Sequence, residues 1–303
     1  MLSQSYALVR VESDWAAPSC DCLAHRLGNA GDRPGRAPRC PSDMTDAEWA
    51  LVRDCLPVPL WLEGRGGQPE GYCHRQMLDA VRYLAAGGIT WRAMPGDFPA
   101  WDRVYAFVRR WRVKDLLTEL HDRLRGLVRE EAGRDPEPTA AVIDAQSLRA
   151  AATVPAATRG YDGTRKVPGR KRHIAVDCLG LLPAVMVTAA NVTDRDAAMP
   201  LLERVRARYR RIVLVWADGG CAGRLVSWAK QQPGLALEIV KRGDDASGFV
   251  VLPRRWVVER TRSRLMRSRR LVRDYETLPA VHERMVLWSM TMLMSRRLAR
   301  RRA

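Results

Sequence analysis

Two apolar runs in this chain each end on an aspartate: Ala140-Ala-Val-Ile-Asp144 and Ile212-Val-Leu-Val-Trp-Ala-Asp218. Short runs rich in β-branched residues read as buried strands. A carboxylate at the end of such a strand is costly unless it is paired or holds a metal. The two acids end on the same side of a sheet only if these strands run parallel and adjacent, which an α/β order permits. A third acid, Glu259, lies inside the basic, helix-like stretch Arg254-Arg-Trp-Val-Val-Glu-Arg-Thr-Arg262. Two strand ends and a helical Glu make a cage for divalent cations, which take oxygen ligands.

The elements around these acids change character along the chain. Residues 41–135 read as a small all-helical domain. Thr45-Asp-Ala-Glu48 is a capping box, helices are expected near 73–86, 100–112 and 115–131, and Gly87-Gly88 stops the first of these. Trp91, Phe98, Trp101 and Trp111 read as core. Arg103, Arg109, Arg110 and Arg112 line either a DNA-facing side or a solvated face. After Pro136 and Pro138 the pattern turns to strands near 140–146, 172–178, 182–189, 211–217 and 235–240. Helices near 195–208 and 221–232 are interleaved with the later strands, and two further helices start near Pro253 and at 279. That order is α/β, and it occupies residues 139–303. Asp177 reads as a hairpin residue, and Asp194 and Asp196 as N-cap and first-turn residues of the next helix.

Charge says what such a site would act on. Lys and Arg number 51 against 34 Asp and Glu, a net +17 with a pI near 10.3. This balance attracts polyanions, nucleic acid first. No apolar stretch approaches the roughly 18 residues that span a bilayer, and the expected location is cytoplasmic, at the nucleoid. Within 159–173 there are six Lys or Arg and one Asp, interleaved with glycines. The expectation is a flexible phosphate-gripping loop using Arg165, Lys166, Arg170, Lys171 and Arg172. In 254–273 nine arginines accompany the single acid Glu259. A merely solvated helix would mix signs, so Arg255, Arg260, Arg262, Arg264 and Arg267 are read as contacts to a DNA backbone.

Residues 1–40 look unlike the rest. They are rich in Arg, Gly, Pro and Cys without a sustained apolar period, and are expected to form a disordered extension. The seven cysteines include no Cys-x-x-Cys pair. Cys20, Cys22, His25 and Cys40 sketch a zinc knuckle of poor spacing, and free thiols in a reducing compartment are the better reading.

Taken in order, Pro41-Ser-Asp-Met-Thr-Asp-Ala-Glu-Trp49, Thr90-Trp-Arg, Val142-Ile-Asp-Ala-Gln-Ser147, Gly160-Tyr-Asp-Gly, Gly169-Arg-Lys-Arg-His173, Trp216-Ala-Asp-Gly-Gly220 and Arg254-Arg-Trp-Val-Val-Glu-Arg-Thr261 resemble bacterial DDE transposases of the insertion-sequence-five type. The resemblance runs from about residue 41 to 290. It implies a helical DNA-binding domain followed by a ribonuclease-H-like catalytic domain. Asp144, Asp218 and Glu259 would be the catalytic and metal-binding residues, holding two Mg²⁺ or Mn²⁺ ions. Such an enzyme binds the terminal inverted repeats of its element, cleaves the ends and joins the 3′-hydroxyl to target DNA. Its partner is double-stranded DNA, on which it forms a homo-oligomer. The chain departs from the family where aromatics usually follow the Glu, since it has Arg262-Ser-Arg264. Leu252 stands where a Tyr is expected and Met266 where a Lys is expected. The alternative is therefore a decayed or domesticated DNA-binding relative.

Overall fold

A computed structural model describes residues 20–32, 35–62, 70–240 and 255–302. Residues 1–19 of the expected extension lie outside the described residues, as do Leu252, Pro253 and Arg254. The N-terminal helices are α1 (Leu23–Arg26), α2 (Asp46–Asp54), α3 (His74–Gly87), α4 (Trp101–Val113) and α5 (Leu116–Glu130). The capping box opens α2: Thr45 Oγ1 accepts from the Glu48 N–H, and the Glu48 carboxylate accepts from the Thr45 N–H. Gly88, at φ 69°, closes α3 in the left-handed region that favours glycine. Phe98 and Trp111 are buried as expected, but Trp91 is only half-buried and Trp101 is 38% exposed, with the Arg92 guanidinium 5.5 Å from its ring.

The second half is a mixed sheet with helices on both faces. It comprises β1 (Ala140–Arg149), β2 (Gly160–Asp162), β3 (Val167–Val176), β4 (Ala184–Ala189), α6 (Asp194–Arg208), β5 (Leu214–Asp218), α7 (Arg224–Lys230), β6 (Ala236–Val240), α8 (Trp256–Leu265) and α9 (Pro279–Arg302). The order across the main path is β2-β3-β1-β5-β6, with β4 also paired to β3. β3 runs antiparallel to β1, β2 and β4, whereas β1, β5 and β6 are parallel. A helical region followed by this sheet is the ribonuclease-H-like arrangement.

Alternation along the strands separates two cores. Ala141, Ile143, Val215 and Ala217 pack against α6 and α7 through Ala197, Leu201, Val205 and Leu225. On the opposite face, Val142, Ile174 and Val176 join Val257 and Val258 of α8, Met285 and Trp288 of α9, and the interior of the N-terminal helices. The helical unit is thus discontinuous in sequence, because α9 returns to pack on α2, α3 and α5. Rings of Trp111 and Trp288 meet at 5.8 Å between centroids.

Two expectations need correction here. Residues 20–32 and 35–40 are not a disordered extension: Cys22, Ala24 and Ala30 are at most 2% exposed. Arg36 bonds to Asp43 and Asp97 and lies 3.8 Å over the Phe98 ring. Low hydropathy misled because a few small side chains and one well-paired arginine dock on a preformed helical surface. Nor is 159–173 a flexible loop. Most of it is β2 and β3, and β3 begins at Val167, earlier than the expected 172, because its basic residues find partners inside the protein.

A buried node ties the two ends of the chain together. Glu48 Oε1 accepts from Arg82 at 3.0 Å and from Ser295 Oγ at 2.9 Å, although Ser295 is 247 residues away. Removing one member of a buried ion pair leaves an uncompensated charge, at a cost of about 3–5 kcal/mol. Arg82→Ala should therefore cost about that much in urea unfolding. The double variant Glu48→Gln, Arg82→Met, which removes both charges and keeps the capping box, should lose markedly less.

Candidate active site

Register and pleat together bring two of the predicted acids side by side. Val142 of β1 pairs with Trp216 of β5 in parallel. Two residues further along both strands stand Asp144 and Asp218, at one level and, by alternation, on the face that carries α8. β1 itself continues to Arg149, so Asp144 lies within the strand rather than at its end. What ends there is the β5 side of the pairing, while β3 continues on the other side, with Asp144 opposite Ile174. The carboxylates thus sit where two parallel strands part. Asp144, Asp218, Asp194, His173 and Cys221 line a narrow cleft at this point.

Helix α8 supplies the third acid and two cations. Arg255, Glu259 and Arg262 are spaced i, i+4, i+7, which places them on one helical face. Arg255 reaches 3.9 Å from Asp144 and 3.8 Å from Asp218, and Arg262 lies 2.8 Å from Asp144 Oδ2. Glu259, between them in the first turn, is exposed. The Asp144 side chain is only 4% exposed. Burial raises its pKa above the usual carboxylate range, and the Arg262 and Arg255 charges oppose that rise. One nitrogen of Arg262 also contacts the Ala145 carbonyl at 3.3 Å, and Asp144 Oδ2 receives no hydrogen bond of good geometry.

That buried carboxylate oxygen, ion-paired with Arg262 but without a hydrogen bond of good geometry and beside a second carboxylate, is the donor chemistry that hard divalent cations take. Asp144 and Asp218 fit such ions on that ground, with Arg255 and Arg262 holding part of the compensating charge, whereas Glu259, exposed on α8, is not among the residues that line the cleft. His173, 2% exposed and bonded to Thr188, has its pKa lowered by burial to about 4, so it is neutral near physiological pH. Burial foremost, then Asp218 and Asp194, push the Cys221 thiol up to about 12. Asp194 is the acid that sequence reasoning placed only as a helix residue. Thr193 is the N-cap, accepting from the Asp196 N–H, and this frees Asp194 to line the cleft and pair with Lys171 at 3.0 Å. The apolar runs that signal Asp144 and Asp218 have no counterpart before Asp194. Asp177, fully buried, is structural: it accepts from the N–H groups of Leu179 and Leu181 and pairs with Arg129.

The basic residues divide by burial. Arg170, Lys171 and Arg172 were expected to grip phosphates, and the fold places them inside. Arg170 is 0% exposed and donates to Thr158, Asp274 and the carbonyls of Glu276 and Thr277. Lys171 bonds to the Val192 carbonyl and pairs with Asp162 and Asp194. Arg172, 1% exposed, donates to Gln146 at 2.6 Å. Arg165 and Lys166 remain exposed in the β2–β3 turn, which Asp162 holds by accepting from Ser147 and from the Thr164 and Arg165 N–H groups. On α8 Arg260 stacks 4.2 Å over Trp256, Arg264 is half-buried, and just beyond the helix Arg267 is exposed. On α4 Arg103, Arg109 and Arg110 are exposed.

Burial of Asp144 has a measurable signature. Its raised pKa means that the folded state holds the proton more tightly than the unfolded chain. The stability associated with the neutral form is complete at low pH and is lost as pH rises through the folded pKa. Asp144→Asn should therefore raise Tm near neutral pH, with the difference shrinking as pH falls below the carboxylate range. A Tm difference independent of pH would contradict this account.

Comparison with known proteins matches this geometry. Residues 135–294, more than half of the chain, match the family described as "Transposase DDE domain", and residues 44–121 match "Putative transposase of IS4/5 family". A relative from Burkholderia cepacia, "Putative transposase for insertion sequence element IS402", is 32% identical over 125 residues. That match covers 39% of this chain and 59% of the relative, so the chain spans less than two thirds of the relative's length. With a helical region preceding a mixed sheet whose parallel strands bring two aspartates together, the chain belongs to the DDE transposase family, of the IS4/IS5 type.

Proposed function

We propose that this protein is a metal-dependent DNA transposase that binds the ends of its own element, hydrolyses a phosphodiester there and joins the freed 3′-hydroxyl to target DNA. One observation carries the reading. Asp144 and Asp218 stand level on adjacent parallel strands, facing a helix whose Arg255, Glu259 and Arg262 share one side. Divalent cations bound by Asp144, Asp218 and Glu259, Mg²⁺ or Mn²⁺ and two in number, would activate the attacking oxygen and stabilise the leaving one. The chain's own residues supply position and charge, which is most of what phosphoryl transfer asks of a protein. Burial fixes Asp144, whereas Asp218 and Glu259 face solvent, where a DNA strand can reach them. Arg255 bridges the aspartates and is placed to neutralise the phosphate. Exposed Arg165 and Lys166, in the turn that reaches the Ala145 carbonyl, extend that positive rim, whereas Arg264 lies on the other side of α8 beside Met290 and Arg297, and a homo-oligomer on DNA would align two such rims.

Arg262 favours a second reading. A guanidinium 2.8 Å from Asp144 competes with cations for the same oxygen, at a position where relatives of this type carry aromatics. On that reading the protein is a decayed relative that binds DNA without cutting it. Incubating the protein with a labelled element-end duplex, with and without Mg²⁺, separates the two. Metal-dependent nicking is expected, and binding without any cleavage would select the decayed form.

In the active case Asp144→Asn, Asp218→Asn and Glu259→Gln should each reduce cleavage to background and leave DNA affinity equal or slightly higher, since a repelling charge is removed. Full cleavage by any one of them removes that residue from the proposal.

Affinity should fall steeply with salt, by about 0.9 log units per log unit of salt for each phosphate contact. Replacing Arg165, Lys166 and Arg267 together by Gln should flatten that slope. Arg170→Gln should instead lower Tm, because its guanidinium is bonded throughout inside the protein.

A further inference from the structure

Far from the carboxylates, Cys20, Cys22, His25 and Cys73 each bring one ligand atom into a cluster whose atoms all lie within 4.8 Å of one another. Cys73 Sγ is 3.7 Å from Cys20 Sγ, and Cys22 Sγ is 3.2 Å from His25 Nδ1. Cys40, which linear spacing had put in this group, instead meets Arg36. We propose that this cluster is a structural zinc site with a Cys₃His ligand set.

Two of the ligand–ligand distances are close to those of a tetrahedral site, and all of them lie within 4.8 Å. Zn–S bonds of about 2.3 Å and Zn–N bonds of about 2.0 Å place neighbouring ligand atoms about 3.5–3.8 Å apart. The observed 3.7 Å and 3.2 Å need adjustments of only tenths of an ångström. Backbone donors are already arranged around the sulfurs. The backbone N–H groups of His74, Gln76 and Cys22 favour the thiolate forms of Cys22, Cys73 and Cys20 respectively. Such donors stabilise thiolates and fix their orientation, the role that outer groups play around metal ligands. Four protein ligands leave no open position, which marks a structural rather than a catalytic site. On binding, three thiol protons pass to solvent and His25 coordinates as the neutral imidazole through Nδ1.

The site also accounts for the ordering of a segment whose composition predicts none. Cys22 precedes α1 and Cys73 precedes α3, so one ion would fasten residues 20–26 to the start of the second long helix. The chain after α1 is held against the same place, since the Asn29 N–H donates to the Glu70 carbonyl at 2.9 Å. A side chain at Gly28 would meet that carbonyl oxygen at 2.4 Å. Metal binding supplies folding free energy where apolar burial is small.

The test uses the full chain, purified under reducing conditions without chelator, with its metal content measured by plasma mass spectrometry. One zinc per chain is expected. Replacement by Co²⁺ should give the strong visible absorption and near-ultraviolet thiolate-to-cobalt band of a tetrahedral, sulfur-rich site. Cys22→Ser and Cys73→Ser should lose the metal, whereas Cys40→Ser should keep it, and a chelator should lower Tm of the wild type and Cys40→Ser alike. Because the wild-type cobalt spectrum needs no variant, misfolding of a Ser variant does not blunt the test. Absence of zinc together with absence of the cobalt bands would overturn the proposal. So would a Cys20–Cys73 disulfide in the peptide map of metal-free protein, or loss of metal in Cys40→Ser with retention in Cys73→Ser.

Discussion

A carboxylate cannot be buried on a central strand without compensation, and Asp144 sets that requirement for the whole sheet half of this protein. Water reaches little of it, and its β3 neighbour is Ile174, which offers no charge. Compensation has to come from above the sheet, and α8 brings it through Arg255 and Arg262. The same docking turns Val257 and Val258 into the core and leaves Glu259 between the two arginines. Placement of the third acid is thus tied to neutralisation of the first. Apolar contact alone would let a helix slide or rotate on the sheet, whereas a charge requirement at one point fixes both.

How much of this was legible in the sequence depended on whether a residue's role is local. Asp144 and Asp218 could be found because the strand pattern preceding each is contiguous, and parallel pairing then puts them level. The capping box and the αL stop at Gly88 were legible for the same reason. Arginine roles were not. Arg170 and Arg165 stand in the same basic run, yet one is a buried hydrogen-bond hub and the other is exposed at a turn. What separates them is Asp274 and the carbonyls of Glu276 and Thr277, more than a hundred residues on. Counting charges records how many cations a segment has, not which of them have partners. Cys73 was missed beside Cys20 and Cys22 on the same account.

Asp162 shows how an acid in a motif-like local pattern can serve geometry rather than chemistry. It lies in Gly160-Tyr-Asp-Gly, close in space to the acidic cleft, but its carboxylate is used up by Ser147, Lys171 and two backbone N–H groups. Against the burial that would raise it, those donors hold its pKa at about 2. The resulting turn presents Arg165 and Lys166 outward, and Arg165 reaches back to the Ala145 carbonyl, one residue from Asp144. A structural acid thereby positions cations next to Asp144.

The return of α9 to the N-terminal helices has a consequence for how the protein is made. Leu84, Phe107 and Trp111 belong to the first helices to be synthesised, but the core they share is completed only by Met285, Trp288 and Leu298. During translation the helices that precede the sheet must wait, with apolar surface uncovered, until nearly the whole chain has left the ribosome. A gene copy interrupted anywhere before the codons of α9 would then leave that core open and yield no stable N-terminal fragment.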